Sequence, residues 1–188
     1  MLRTLRQIAS IGIVTETPPR PDESLRVRDD LQQRIRDVLG RALCIRHVDA
    51  GSCNGCELEI HALNNPIYNI EGLGIRFVAS PRHADLLLVT GPVSQHMAEA
   101  LRRTYAATPA PKLVVALGDC GCTGGIFGES YASCGRVSNV IPVDVAVPGC
   151  PPTPTRILEG ILTAISPSTL NETRRGAPRA SAPTESTK

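Results

Sequence analysis

The segment KLVVALGDCG, residues 112–121, decides the fold class, because an apolar run of strand length ends abruptly at glycine and cysteine. Short runs rich in Val, Leu and Ile are typical of strands that are buried on both faces, as in parallel sheets. Four other segments share this character. The predicted strands span residues 44–50, 74–79, 85–90, 112–117 and 143–147.

Helical patterns separate the predicted strands. Helices are expected at residues 25–39, 56–64, 95–107 and 154–165. The last has Thr153 at the N-cap and Pro154 at the first helical position, where both residue types are favoured. Strands that alternate with helices predict an α/β fold, in which helices cover both faces of a parallel sheet. A long Gly-rich loop at residues 121–140 interrupts the alternation, and such loops are usually functional.

Length and composition bound the possible functions. A chain of 188 residues suits one domain with tails. A formal net charge of +2 and only 3% aromatic residues argue against a nucleic-acid-binding protein. The sequence contains no apolar run long enough to predict a membrane span and no pattern typical of a signal peptide. We therefore expect a cytoplasmic location, where structural disulfides are disfavoured.

The chain divides into four predicted regions. Residues 1–24 combine an amphipathic segment with a Pro-rich hinge, and residues 25–42 form a helix that packs on the body or on a partner. Residues 43–166 form the α/β domain that carries the candidate site. Residues 167–188 are rich in Ser, Thr, Pro and Arg and are expected to be disordered.

Four of the seven cysteines follow predicted strands directly. Cys53 and Cys56 come after the first strand, Cys120 after the fourth and Cys150 after the fifth. The carboxyl ends of parallel strands meet at one edge of the sheet, where open α/β folds bind their ligands. The sequence therefore predicts that these four sulfurs converge at that edge.

Four thiolates suit either a structural zinc ion or an iron–sulfur cluster. Zinc sites commonly use two C-x₂-C pairs on small modules, whereas here one pair joins two distant cysteines on a full-sized core. This pattern favours a 4Fe–4S cluster, while a zinc site and a metal-free protein remain alternatives. Cys44 is expected to be a buried small apolar residue of the first strand and Cys134 a spare thiol, and Cys122 is a possible competing ligand because it lies near Cys120.

Four motifs carry a resemblance to a known family over roughly residues 40–165: GSCNGCELE (51–59), ALGDCG (116–121), GGIFGESY (124–131) and IPVDVAVPGCPPTP (141–154). They resemble the small, cluster-carrying subunit of nickel–iron hydrogenases and the 20 kDa subunit of respiratory complex I, the NADH-quinone oxidoreductase. The spaced cysteine pair is similar to that of hydrogenases, whereas GGIFGESY and IPVDV are more similar to complex I. The mixture resembles the membrane-bound, energy-converting hydrogenases of the formate hydrogenlyase type.

The resemblance implies a flavodoxin-like fold and an electron-transfer role in an oxidoreductase. It implies one 4Fe–4S cluster at the carboxyl edge of the strands, with Cys53, Cys56, Cys120 and Cys150 as its ligands. The implied partners are a large subunit with the nickel–iron site, a ferredoxin-like iron–sulfur subunit and membrane subunits that place the chain on the inner face of the cell membrane. The alternative is the equivalent subunit of a complex I-like quinone oxidoreductase, beside a 49 kDa-like subunit.

Two acidic residues follow the cysteine pair. Glu59 matches an acidic position of the complex I relatives near their quinone and proton region, and Glu57 is an additional carboxylate. A proton-transfer or supporting role is possible for both, and an ordinary solvated carboxylate in a first helical turn is the alternative. The four histidines are expected to be surface or core residues. GCTGG lacks the Lys of a phosphate-binding loop, so nucleotide binding is not predicted there.

Overall fold

The computed structural model describes residues 6, 9, 10 and 23–166, and of residues 23–29 and 38 it describes the backbone alone. Most of the predicted N-terminal segment and the whole predicted tail lie outside the described residues. Five parallel strands form one sheet in the order β2-β1-β3-β4-β5. They are β1 (Leu43–Asp49), β2 (Ile75–Phe77), β3 (Leu86–Thr90), β4 (Leu113–Leu117) and β5 (Val145–Val147).

Within residues 23–166, five helices accompany the sheet: α1 (Glu23–Leu39), α2 (Gly55–Ala62), α3 (Gln95–Ala107), α4 (Gly118–Thr123) and α5 (Pro154–Ala164). Short 3₁₀ turns lie at Ile70–Leu73, Pro81–His83 and Val137–Asn139. The predicted flavodoxin-like α/β fold is confirmed, and all five predicted strands are present. Helix α4 is not among the predicted helices, and its last three residues correct the predicted start of the Gly-rich loop at residue 121.

Hydrophobic cores lie on both faces of the sheet. Alternate residues of β3 point to opposite sides: Leu86 and Leu88 pack with α1, α2 and α5, whereas Leu87 and Val89 pack with α3. This alternation follows from the two-residue period of a strand, and burial on both faces explains why the strands are apolar throughout. Helix α1 contributes the buried Leu31 to the first core, so this helix packs on the body.

Local capping fixes where two of the helices begin. The Ser94 hydroxyl accepts a hydrogen bond from the backbone N–H of Met97 at the start of α3. The Thr153 hydroxyl accepts one from Arg156 at the start of α5, with Pro154 in the first turn as predicted. Both caps terminate the preceding loops sharply, and the Thr153 cap lies just beyond Cys150.

The strand order defines where the site lies. The chain passes from β1 to β2 on one side and then returns to β3 on the other side of β1. In open α/β sheets, the loops at such a reversal separate and leave a crevice outside the carboxyl ends of the strands. The loop after β1 borders this crevice, and it carries Cys53.

Candidate metal centre

The four predicted cysteines line one cavity of about 170 Å³ at the carboxyl edge of the sheet. Cys53 precedes α2, Cys56 lies in its first turn, Cys120 lies in α4 and Cys150 follows β5. Three separate loops thus bring four thiols together, as the strand positions predicted. The other lining residues are small or compact: Ser52, Gly55, Gly91, Asp119, Gly149 and Pro151.

Close packing at glycine allows the sulfurs to approach neighbouring loops. Gly118 has φ +81°, a conformation that favours glycine, and a Cβ added there would lie 2.6 Å from Cys56 Sγ. A Cβ on Gly125 would lie 2.8 Å from Cys120 Sγ, and one on Gly55 would lie 3.5 Å from Cys53 Sγ. Side chains at Gly118 and Gly125 would therefore displace two of the four sulfurs, whereas one at Gly55 would only make ordinary contact with Cys53.

Asp119 joins the loop of Cys120 to the loop of Cys150. Its backbone N–H donates to the Gly149 carbonyl at 2.9 Å, and its Oδ1 accepts the Gly149 N–H at 2.8 Å. This pair of bonds fixes the carboxyl ends of β4 and β5 side by side, one residue from each cysteine. Sequence analysis did not identify Asp119, because its role depends on a residue 30 positions away.

Asp49 has a related role at the end of β1. Its Oδ1 accepts the backbone N–H groups of Gly51 and Ser52, both at 2.8 Å. These bonds form a turn of the kind that aspartate commonly stabilises, and the turn leads directly to Cys53. An aspartate two residues before a glycine at a strand end was the available signal in the sequence.

Electrostatic effects oppose ionisation of the free thiols. Burial raises the pKa of Cys56 to about 12, with further increases from Glu57 and from Cys53, Cys120 and Cys150. Burial and the neighbouring Cys150 and Cys53 also raise the pKa of Cys120. Four thiolates in this cavity would repel one another unless a cationic centre compensated their charge. A bound metal centre would supply that compensation.

The donor set and the cavity fit an iron–sulfur cluster better than a single ion. Within residues 6, 9, 10 and 23–166, no three Cys, His, Asp or Glu side chains converge closely enough to hold one metal ion. A tetrahedral zinc site would need sulfurs roughly 4 Å apart, given Zn–S bonds of about 2.3 Å. Thiols distributed around a cavity suit a larger body, and thiolates are the usual ligands of iron–sulfur clusters.

The other cysteines lie apart from this cavity. Cys44 is buried in β1, in agreement with its predicted role as a small apolar residue. Cys122 Sγ lies 3.5 Å from the Ala116 carbonyl and lines a different cavity, and burial raises its pKa to about 11. Cys134 packs against the core on the α3 side of the sheet. The structure therefore does not bring these three thiols to the other four.

The two glutamates after the cysteine pair differ in their surroundings. Glu57 is 7% exposed, and neither of its carboxylate oxygens has a hydrogen-bond partner among the described residues. His47 Nε2 lies 3.5 Å from Glu57 Oε1 and 3.0 Å from the Thr90 hydroxyl. Burial lowers the pKa of His47, although Glu57 and Asp49 act in the opposite direction. Glu59 is half-buried on α2.

Exposed apolar residues follow two of the cavity's cysteines closely in the sequence. Gly125 lies against Cys120, and the next two residues, Ile126 and Phe127, are 94% and 56% exposed. Leu58, two residues after Cys56, is 62% exposed. Exposed apolar clusters of this kind mark contact surfaces for other proteins. The apolar residues of GGIFGESY carry no pattern in the sequence that predicts their exposure.

Comparison with known proteins places these features in a family. The model of the family described as NADH ubiquinone oxidoreductase, 20 Kd subunit, matches residues 53–164. The probable membrane-bound hydrogenase subunit mbhJ of Pyrococcus furiosus is 46% identical over 141 residues, which cover 73% of this chain and 84% of that protein. Formate hydrogenlyase subunit 7 of Escherichia coli is 42% identical over 149 residues, which cover 79% of this chain and 57% of that protein.

A chain of a solved structure is similar to this chain in both fold and sequence. The structure of the membrane-bound sulfane sulfur reductase, an archaeal respiratory membrane complex, contains a chain with a TM-score of 0.60 and 30% identity. The match covers 84% of this chain and 80% of that chain. Among the described helices, none has the length and apolar character needed to cross a bilayer. The resemblance predicted from the four motifs is confirmed, and the chain belongs to the family of the NADH ubiquinone oxidoreductase 20 kDa subunit.

Proposed function

We propose that this chain is the electron-transfer subunit of a multisubunit, membrane-bound hydrogenase and holds one 4Fe–4S cluster. Cys53, Cys56, Cys120 and Cys150 would be its ligands. The observation that carries the proposal is that thiols from three separate loops line one cavity. The family, whose relatives include hydrogenase and formate hydrogenlyase subunits, supports it.

When bound, such a cluster supplies reversible one-electron transfer at a potential set by its surroundings. The residues of this chain provide those surroundings. Gly118 and Gly125 let the backbone approach the sulfurs closely, and Asp119 holds two of the ligand loops in register. Pro151 and Pro152 follow the last cysteine. Their rings fix the backbone φ angle and so stiffen this loop, and neither residue has a backbone N–H to donate.

We further propose that the large subunit with the nickel–iron centre binds over the cavity. Cys53 and Cys150 are exposed in the isolated chain, and the exposed apolar residues Leu58, Ile126 and Phe127 follow Cys56 and Cys120 closely in the sequence. A partner that covers these residues would exclude water from the cluster and bury the apolar side chains. A ferredoxin-like subunit would exchange electrons with the chain, and membrane subunits would hold the assembly on the cytoplasmic face of the membrane.

The second candidate function is the equivalent position in a complex I-like quinone oxidoreductase. The family model is described by the 20 kDa subunit of NADH ubiquinone oxidoreductase, which favours this alternative. Glu59 and the GGIFGESY segment also resemble that branch. In this case the partner over the cavity would be a 49 kDa-like subunit, and the cluster would reduce quinone.

Purification of the intact complex through a tag on this chain distinguishes the two functions. The hydrogenase proposal predicts nickel in the complex and hydrogen turnover that is lost in the Cys120→Ser variant and retained in Cys134→Ser. Quinone reduction without nickel or hydrogen turnover would favour the second candidate. A colourless chain that contains zinc and no acid-labile sulfide would contradict both.

A further inference from the structure

A second, larger cavity of about 630 Å³ lies at the amino edge of the sheet, opposite the four cysteines. Its walls come from the start of β1, from β2 and the turn after it, from the loop before β4 and from the residue after α5. Its volume is within the range of about 300–1,000 Å³ that small-molecule sites occupy. Strands of five to seven residues separate it by roughly 17–23 Å from the cysteine edge.

Positive charge dominates the rim of this cavity. The lining includes Arg41, Arg76, Arg82 and His83, against a single carboxylate, Asp85. The three arginines exceed this carboxylate by two charges, even with His83 neutral. An anion bound among these charges would be attracted by all three arginines and would offset their mutual repulsion. The rim is therefore suited to an anion.

The carboxylate is already paired within the fold. Arg41 binds Asp85 through both ends of its guanidinium group, with N···O distances of 3.0 and 2.6 Å. Asp85 Oδ2 also accepts the backbone N–H of Cys44 at 3.1 Å. Asp85 thus holds Arg41 at the rim, while two of the five guanidinium N–H groups are used and the others stay available.

The other two arginines lack such a partner. Arg76 and Arg82 are exposed, and neither forms an ion pair within the described part of the chain. Below them the cavity floor is apolar, with Leu43, Leu113 and Ile165 each buried. A rim of guanidinium groups above an apolar floor suits an anion that carries an apolar or neutral body.

We propose that this cavity binds the phosphate group of an anionic ligand, with Arg76 and Arg82 as the residues that contact it and Arg41 as a third donor fixed by Asp85. Planar guanidinium groups match phosphate oxygens in a bidentate geometry, which favours phosphate over a simple halide. The phosphate would belong either to an anionic phospholipid or to a soluble molecule. The site uses none of the four proposed cluster ligands and does not depend on the proposed electron-transfer function.

Binding measurements on the full-length chain test this proposal. Calorimetric titration with inorganic phosphate and with pyrophosphate probes a soluble ligand. Co-flotation with phosphatidylcholine vesicles, with and without phosphatidylglycerol, probes a lipid headgroup. The test variant is Arg76→Gln/Arg82→Gln, and the control is Arg34→Gln/Arg102→Gln, which removes the same charge from helix surfaces that do not line the cavity.

We expect at least one phosphate probe to bind the wild type and the control with similar affinity. Its affinity for the test variant should be lower by a factor of roughly ten or more. Binding of phosphate or pyrophosphate alone would identify a soluble source. Binding confined to phosphatidylglycerol vesicles would identify a lipid. The proposal is overturned if no probe binds, or if both double variants weaken binding equally, since the effect would then be one of overall charge. Iron content of the test variant should equal that of the wild type, so this result is independent of the cysteine site.

Discussion

At each edge of the sheet, aspartates join neighbouring strands by the same pair of hydrogen bonds. At the amino edge Asp144 donates its N–H to the Val114 carbonyl at 2.9 Å and accepts the Val114 N–H at 2.8 Å. At the carboxyl edge Asp119 exchanges equivalent bonds with Gly149, at 2.9 and 2.8 Å. The backbone linkage is therefore alike at the two edges, although the surrounding side chains differ.

The two edges differ in the cavities that they carry. At the carboxyl edge cysteines and glycines allow three loops to approach one another around 170 Å³, in nearly apolar surroundings. At the amino edge arginines, prolines and apolar residues line a cavity of about 630 Å³. One sheet thus carries a small thiol-lined cavity at one edge and a larger, cationic cavity at the other.

The largest expected effect comes from the proposed ligands. Cys120→Ser or Cys150→Ser should abolish stable cluster assembly, since serine is a poor substitute for a thiolate ligand. Cys134→Ser should keep the cluster, because Cys134 packs against the opposite core. Iron and acid-labile sulfide per chain, with the visible absorption, provide the measurement. Cluster loss in Cys134→Ser together with retention in Cys120→Ser would disprove the ligand set.

Two glycine variants separate crowding of the cavity from backbone strain. Gly118→Ala places a Cβ 2.6 Å from Cys56 Sγ, whereas Gly128→Ala has a similarly positive φ with nothing within 4 Å. Each variant should lose about 1–2 kcal/mol of unfolding free energy from the left-handed conformation. Only Gly118→Ala should also lose most of its iron. Equal iron contents in the two variants would show that the close approach is unimportant.

The paired aspartates give a direct comparison of the edges. Asp119→Ala and Asp144→Ala each remove an acceptor from a backbone N–H, at a cost of about 1–3 kcal/mol. Chemical denaturation should show similar losses of stability. Cluster retention during exposure to a chelator should fall in Asp119→Ala alone, since Asp144 lies at the other edge. Faster loss in Asp144→Ala would contradict this assignment.

Charge next to the proposed cluster should set its potential. Glu57→Gln removes a buried negative charge beside Cys56, so reduction should become easier and the midpoint potential should rise, on the order of tens of millivolts. Glu59→Gln should produce a smaller rise, because Glu59 is half-buried and better screened. Redox titration followed by electron paramagnetic resonance measures both. A larger shift in Glu59→Gln would reverse the proposed roles.

The smallest effect concerns pH. Burial holds the pKa of His47 below its ordinary value of 6.5, so the unfolded chain binds this proton more readily. Stability should therefore fall as the pH decreases from 6.5 towards the folded-state pKa, and should be fully present above 6.5. His47→Gln should reduce this pH dependence when denaturation midpoints are compared at neutral and acidic pH, and the exposed His96→Gln should not.

Much of the fold could be predicted from the sequence because its strands are buried on both faces. The predicted strand at residues 112–117 corresponds to Leu113–Leu117, and the predicted helix 95–107 corresponds to Gln95–Ala107. Helix α4 was missed because GDCGCT has two glycines and no apolar periodicity. Its position depends on the bonds between Asp119 and Gly149, which a local pattern does not reveal.

In the candidate site too, some features could be predicted from the sequence and others depend on tertiary contacts. The convergence of Cys53, Cys56, Cys120 and Cys150 followed from strand ends alone, since parallel strands share one carboxyl edge. The contact between His47 and Glu57 could not be predicted, because it depends on how the helix α2 packs against the strand β1. The arginine cavity likewise combines segments far apart in sequence, without any local motif.

Iron and sulfide analysis with Mössbauer spectroscopy on the wild-type chain, purified anaerobically within its complex, tests the central claim most directly. We predict iron and acid-labile sulfide in equal amounts, at the stoichiometry and with the spectrum of one 4Fe–4S cluster per copy of this chain. Zinc in place of iron, or full occupancy of a cluster that persists when Cys53, Cys56, Cys120 and Cys150 are all replaced by serine, would contradict it.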